Sequence, residues 1–162
     1  MIFTVESSLV DEFRKAADDY RRKDLFEFRS FTANRIEITR GKDTLAFEKV
    51  KGQGKDAAQE KWRQVLPAAK DVDATKLDSF LTRLSNLRAQ SFLEPNDKAT
   101  KTGLDAPAAV IVVKFDEGKK QERVAFGKVG SDVFASRPGE AGTAKLTGFD
   151  FDDVMKGLDD IK

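Results

Sequence analysis

With no histidine and no cysteine among its 162 residues, this chain must do any chemistry with carboxylates, amines, hydroxyls and aromatic rings. The missing imidazole removes the usual general base near neutral pH and the commonest transition-metal ligand. The missing thiol removes a second nucleophile, thiolate metal sites and disulfides. No catalytic, cofactor-binding or metal-ligating residue is therefore assigned, and no tightly bound zinc, copper or iron is expected. What remains is carboxylate chemistry of the glycosidase kind, in which two carboxyl groups about 5–10 Å apart share the work. Asp and Glu total 28, so abundance alone singles out no such pair.

Four local patterns invite a sharper reading. Gly52-Gln53-Gly54-Lys55 and Gly127-Lys128-Val129-Gly130 suggest phosphate loops, which need Gly-Lys followed by Ser or Thr between a strand and a helix. Asp56 and Val129 stand where the hydroxyl is required, and neither segment opens a predicted helix, so both read as turns. Asp150, Asp152, Asp153, Asp159 and Asp160 form an acidic end. A calcium loop needs alternating oxygen ligands and a sharp glycine turn. Phe151 and Val154 follow helical spacing instead, so the cluster reads as a helix cap with a solvated face.

Trp62 and Tyr20 could line a sugar surface, but a lone Trp on a half-buried strand is more often core. Phenylalanine occurs 13 times against one Trp and one Tyr. That bias favours packing, because binding surfaces prefer Tyr, Trp and Arg. Asp105, in Gly103-Leu104-Asp105-Ala106-Pro107, is either a ligand-binding carboxylate or a turn former. The folding role is preferred. Pro107 disfavours helix at Ala106, Gly103 can take a positive φ, Leu104 is expected to plug the core, and Asp105 to accept backbone N–H bonds.

The elements that must position these residues follow from periodicity. Ile2–Val5 reads as a short strand. A helix capped by Ser8 follows, with Leu9, Val10, Phe13, Ala16, Ala17 and Tyr20 on one stripe. Residues 24–31 pack as an irregular connection through Leu25, Phe26, Phe28 and Phe31. Strands are expected at 35–39, at 44–50 with Leu45 and Phe47 inward, and at 61–65, ended by Pro67. Asp73 caps a helix carrying Leu77, Phe80, Leu81, Leu84 and Leu87. After a loop over 94–107, residues 108–115 form an almost continuous apolar strand, expected at the centre of a sheet with Val110 to Val113 all buried. Further strands fall at 121–126, 132–136 and 143–147. Asp150 then caps a last helix with Val154, Met155, Leu158 and Ile161 inward.

The expected fold is therefore α+β, with mainly antiparallel sheets and three helices packed on them. Residues 1–162 form a single domain or a repeat segment, divisible into sub-units 1–94 and 95–162. The repeat reading rests on a weak likeness between Ser8–Phe13 and Asp150–Met155.

Charge bounds the partners. Lys and Arg total 29 against 28 acidic residues, a net charge of +1, so no nucleic-acid or anionic-lipid footprint is expected. Arg21-Arg22-Lys23 sits among Asp18, Asp19 and Asp24 and reads as a solvated helix face. The longest apolar run, 108–113, is far short of the roughly 20 residues of a spanning helix. No signal peptide is read, because Glu6 and Asp11 interrupt its apolar core.

A set of short motifs recurs together: the Ser7-Ser8-Leu9-Val10-Asp11 start, Arg35-Ile36-Glu37-Ile38, the isolated Trp62, and the helix end Leu84-Ser85-Asn86-Leu87-Arg88-Ala89. Gly103-Leu104-Asp105-Ala106-Pro107 and Phe126-Gly127-Lys128 complete it. In order and spacing the chain resembles the bacterial domain-of-unknown-function family DUF4340, over nearly its whole length. The resemblance implies an extracytoplasmic protein with an N-terminal membrane anchor, working beside ABC-transporter components of the gliding-motility type, and it defines no catalytic residues. Without that anchor, the chain is expected to be a soluble fragment of an anchored protein, on the periplasmic side, with a cytoplasmic location left open. The leading expectation is a non-enzymatic binding or scaffolding module with a protein partner, namely a membrane transporter or envelope component. The alternatives are a carboxylate-dependent hydrolase or carbohydrate-processing domain, and a structural spacer in a tandem array.

Overall fold

The computed structural model describes residues 23–52, 54–56, 59–93, 102–138 and 142–161. The strand at Ile2–Val5, the helix after Ser8, Tyr20, the Arg21-Arg22 pair, Gln53 and the first half of the repeat lie outside them. Among the described residues nine strands form one sheet in the order β4-β3-β2-β1-β6-β7-β8-β9-β5. In chain order they are β1 (Ala33–Arg40), β2 (Asp43–Lys51), β3 (Glu60–Leu66), β4 (Lys70–Asp71), β5 (Ser91–Leu93), β6 (Ala109–Phe115), β7 (Lys120–Val129), β8 (Asp132–Ser136) and β9 (Thr143–Leu146). Every pairing is antiparallel. Two meanders, β1–β4 and β6–β9, are thus zipped together along β1 and β6.

Two α-helices, not three, lie among the described residues: α1 (Ala74–Ser85) and α2 (Gly148–Asp159). They pack on each other and over one face of the sheet, α1 toward β3 and α2 toward β8. Asp73 caps α1 as its sequence predicts, its Oδ1 accepting from the Thr75 and Lys76 N–H groups at 2.9 and 3.2 Å. At α2 the cap is Thr147 rather than Asp150. Its Oγ1 accepts from the Asp150 N–H at 3.2 Å, the first half of a capping box.

The core face alternates along each strand. Ile36 and Ile38 of β1, Phe47 of β2, Ile111 and Val113 of β6, and Val124 and Phe126 of β7 are all buried. The α1 stripe Leu77, Phe80, Leu81 and Leu84 is fully buried against them. Val110 and Val112 are only half-buried. An apolar run reads as fully buried when both faces of its strand are covered; here the pleat sends alternate side chains to the face without helices. Leu45 faces inward as expected, opposite Ile38, and packs against the core cluster while only partly buried.

The connection before β1 is a spine of rings. Phe151 of α2 packs on Phe126 with ring centroids 5.3 Å apart, Phe126 on Phe26 at 6.5 Å, Phe26 edge-to-face on Phe28 at 5.5 Å, and Phe28 on Phe115 at 6.4 Å. Buried Glu122 of β7 anchors this connection. Its carboxylate accepts from the Glu27 N–H at 2.8 and 2.9 Å and from the Phe28 N–H at 3.2 Å, with the Arg137 guanidinium 3.6 Å away. Glu122→Gln halves the acceptor capacity and removes the charge. A loss of about 2 kcal/mol is expected in a urea melt, the range for hydrogen bonds to a charged group. An unchanged midpoint would mean that the rings alone hold the connection.

Candidate functional site

Most residues singled out by type turn out to be occupied structurally. Trp62 is buried beneath Lys49, whose Nζ lies 5.4 Å from the ring centroid, so it offers no sugar platform. Gly127-Lys128-Val129 is the end of β7, not a loop before a helix, and Lys128 Nζ pairs with Asp152 at 2.9 Å. Gly54-Lys55-Asp56 is a single 3₁₀ turn. The acidic end of α2 is spread over three elements: Asp152 to β7, Asp153 to Arg83 of α1 at 3.4 Å, and Asp159 to Arg40 of β1 at 2.9 Å. These partners dock the helix. No group of three or more Asp or Glu suited to a metal occurs among the described residues.

Two motifs of the sequence meet unexpectedly. Thr102 to Leu104 cross β7 at Gly127, where any Cβ would overlap the Thr102 carbonyl oxygen. The crossing loop is closed by the Ala106 N–H donating to Gly103 O at 3.3 Å, with Gly103 at φ +69°. Among the described residues Asp105 does not accept the bonds expected of it. It is exposed, and Leu104 is half-buried outside the main core instead of plugging it.

The place with unspent chemistry is one end of the sheet, where the start of β1, the ends of β2 and β6, and the start of β3 converge. Ala33 and Arg35 of β1 stand opposite the consecutive residues Phe115 and Lys114 of β6. Asn34 is therefore the extra residue of a β-bulge, a device that re-aims a side chain. Its Oδ1 is the one buried side-chain polar atom among the described residues without a hydrogen-bond partner. An acceptor left so costs about 1–3 kcal/mol, and most native ones are satisfied.

Asn34 lines two adjoining depressions of about 550 and 560 Å³, with Lys49, Glu60 and Glu117 on both. The adjacent β6–β7 turn is strained. Asp116, Glu117 and Gly118 have φ of 52°, 60° and 80° in succession. Left-handed backbone costs a non-glycine residue about 1–2 kcal/mol, and such outliers gather at functional sites. The turn is tied to the segment before β1 by the Asp116 N–H donating to Thr32 O at 3.2 Å.

That segment presents Phe31, 77% exposed, on a well-bonded turn. Thr32 N–H and Oγ1 both donate to Arg29 O at 2.9 Å, and Thr32 Oγ1 accepts from the Arg29 N–H at 3.1 Å. Lys49 Nζ donates to Phe31 O at 3.2 Å. On the other side of the bulge Arg35 is locked by Glu37 and Glu48 at 2.8 and 2.9 Å. Its hydrogen bond to Glu37 raises the guanidinium pKa above the ordinary value; the charges of Glu37 and Glu48 add to this and burial opposes it. Composition hid this site. Asn34 carries no sequence signal, because the bulge and the strained turn exist only once β1 meets β6, and Phe31, expected to pack with Leu25, Phe26 and Phe28, is instead exposed while those three are buried.

No helix among the described residues is long and apolar enough to cross a membrane. No curated protein and no solved structure matches the chain. A family model does match residues 1–107, a stretch holding β1 to β5, α1, the bulge at Asn34 and the loop that crosses Gly127. The chain belongs to the family described as Domain of unknown function (DUF4340).

Proposed function

We propose that the chain is a non-enzymatic binding or scaffolding module, held on the extracytoplasmic side of a bacterial membrane, whose partner is a transporter or envelope component. The observation that carries the binding role is the sheet end: an unpartnered buried acceptor at Asn34, a strained turn beside it, and an exposed aromatic ring held on a rigid turn. Strain and an unsatisfied polar group lower stability, and a surface that keeps both is explained by a ligand that relieves them. The acidic groups of the cleft favour binding over hydrolysis. Glu48, Asp116 and Glu117 are each bridged to a cation within the protein, so they serve the fold rather than standing as a free carboxylate pair across a bond to be cleaved. The location and the transporter partner rest on what the family resemblance implies.

The test is made in the bacterial host. The protein is expected to be digested by protease that has passed the outer membrane while the inner membrane is intact, and to be cross-linked to a membrane partner. Protection from the protease would contradict the location. Turnover of a glycoside, abolished by a single carboxylate variant, would contradict the binding role.

A further inference from the structure

Along the two depressions at the sheet end, basic side chains outnumber acidic ones six to four. Three of the acidic groups are spent on bridges within the cleft, to Arg35, Lys120 and Lys119. Lys49, Lys51 and Lys114 then face Glu60 as the remaining acidic group. Lys51 stands across the β2–β3 pair from Glu60. Lys114 stands directly opposite Arg35 in the β1–β6 register; Arg35 is already paired with Glu37 and Glu48, which leaves Lys114 as the cation of that pair facing the cleft. Beside these cations sits Asn34 Oδ1, an acceptor in need of a donor.

We propose that this cleft binds an acidic peptide segment of a protein partner. Its carboxylates lie against Lys51 and Lys114, the Asn34 side chain turns its buried Oδ1 outward to accept from one of the peptide's backbone N–H groups, and an apolar side chain packs on Phe31. A fully ionised carboxylate or phosphate offers no donor to Asn34. A peptide supplies acceptor charge, N–H donors and apolar surface together. The chain's net charge of +1 is too small to hold an anionic lipid surface there. This proposal rests on the binding-module reading and names its ligand.

The test is a titration of the isotope-labelled full chain, followed by amide shifts, with four probes. They are a short peptide of Asp, Glu and Leu, its Asn, Gln and Leu counterpart, inorganic phosphate, and phosphatidylglycerol vesicles. The acidic peptide is expected to shift residues 31–35, 49–51 and 114–118 saturably, and the neutral peptide not. The double variant Lys51→Glu, Lys114→Glu changes two exposed side chains and is expected to weaken the acidic peptide by about tenfold or more. Asn34→Ala is expected to weaken it too while leaving the melting midpoint unchanged or raised, because the unsatisfied acceptor goes with the side chain. A merely structural Asn34 would lower the midpoint and leave binding intact. That result would overturn the proposal, as would equal binding of the neutral peptide, shifts with phosphate alone, capture by the vesicles, or no saturable shift. If the peptide fails while cross-linking in the host still finds a membrane partner, the binding module stands and its site lies elsewhere.

Discussion

Gly127→Ala will lower the unfolding free energy by about 3 kcal/mol, at the upper end of the usual cost of overpacking. The added Cβ would overlap Thr102 O and lie 2.7 Å from Gly103 C and 2.8 Å from Leu104 N. All three are backbone atoms, so no side-chain rotation relieves the clash. β7 cannot retreat, because it is hydrogen-bonded to β6 on one side and β8 on the other. The loop must lift instead, disturbing its entry into β6, where the Ala108 N–H donates to Phe126 O at 2.7 Å. Gly41→Ala is the control. Gly41 has φ +61° with nothing within 4 Å of its added Cβ, so only the left-handed backbone resists, costing about 1 kcal/mol. Urea melts at constant slope compare the two. Equal losses would mean that the 102–104 crossing is not closely packed.

Leu84→Ala will cost roughly 2–5 kcal/mol, the range for emptying a packed leucine site. Leu84 is fully buried in the last turn of α1, within the core cluster that joins both helices to the sheet. A loss below about 1 kcal/mol, outside that range, would mean that the site collapses or the helix face is rotated. The variant tests which stripe of α1 faces inward, an inference read from periodicity within the helix.

Legibility followed locality. The α1 stripe and the Asp73 cap depend on residues a few positions apart, and periodicity or capping chemistry exposes them. Thr147-Gly148-Phe149-Asp150 carries a capping pattern too, but a strand read over 143–147 absorbs Thr147 and leaves Asp150 as the expected cap. The pairing of β1 with β6 brings together residues more than 70 positions apart, such as Ile36 and Val113, and nothing local encodes it. Everything built on that pairing was therefore hidden: the Asn34 bulge, the like charges at Arg35 and Lys114, and the half-exposed Val110 and Val112. Gly127 shows the same limit. Its place in a Gly-Lys-Val-Gly run suggested a turn, whereas its role is set by a loop more than 20 residues earlier in the chain.

The central claim is that the sheet end carrying Phe31 and Asn34 is the working surface of a binding module. Site-specific photo-crosslinking in the bacterial host tests it most directly, with a photoreactive amino acid in place of Phe31 or, separately, of Phe149. Phe149 is equally exposed, at 79% against 77%, but lies at the start of α2, outside the cleft. The account predicts one discrete protein adduct from position 31, lost when Lys51 and Lys114 are both changed to Glu, and none from position 149. No adduct from position 31, or one that survives the charge reversal and appears equally from position 149, would contradict it.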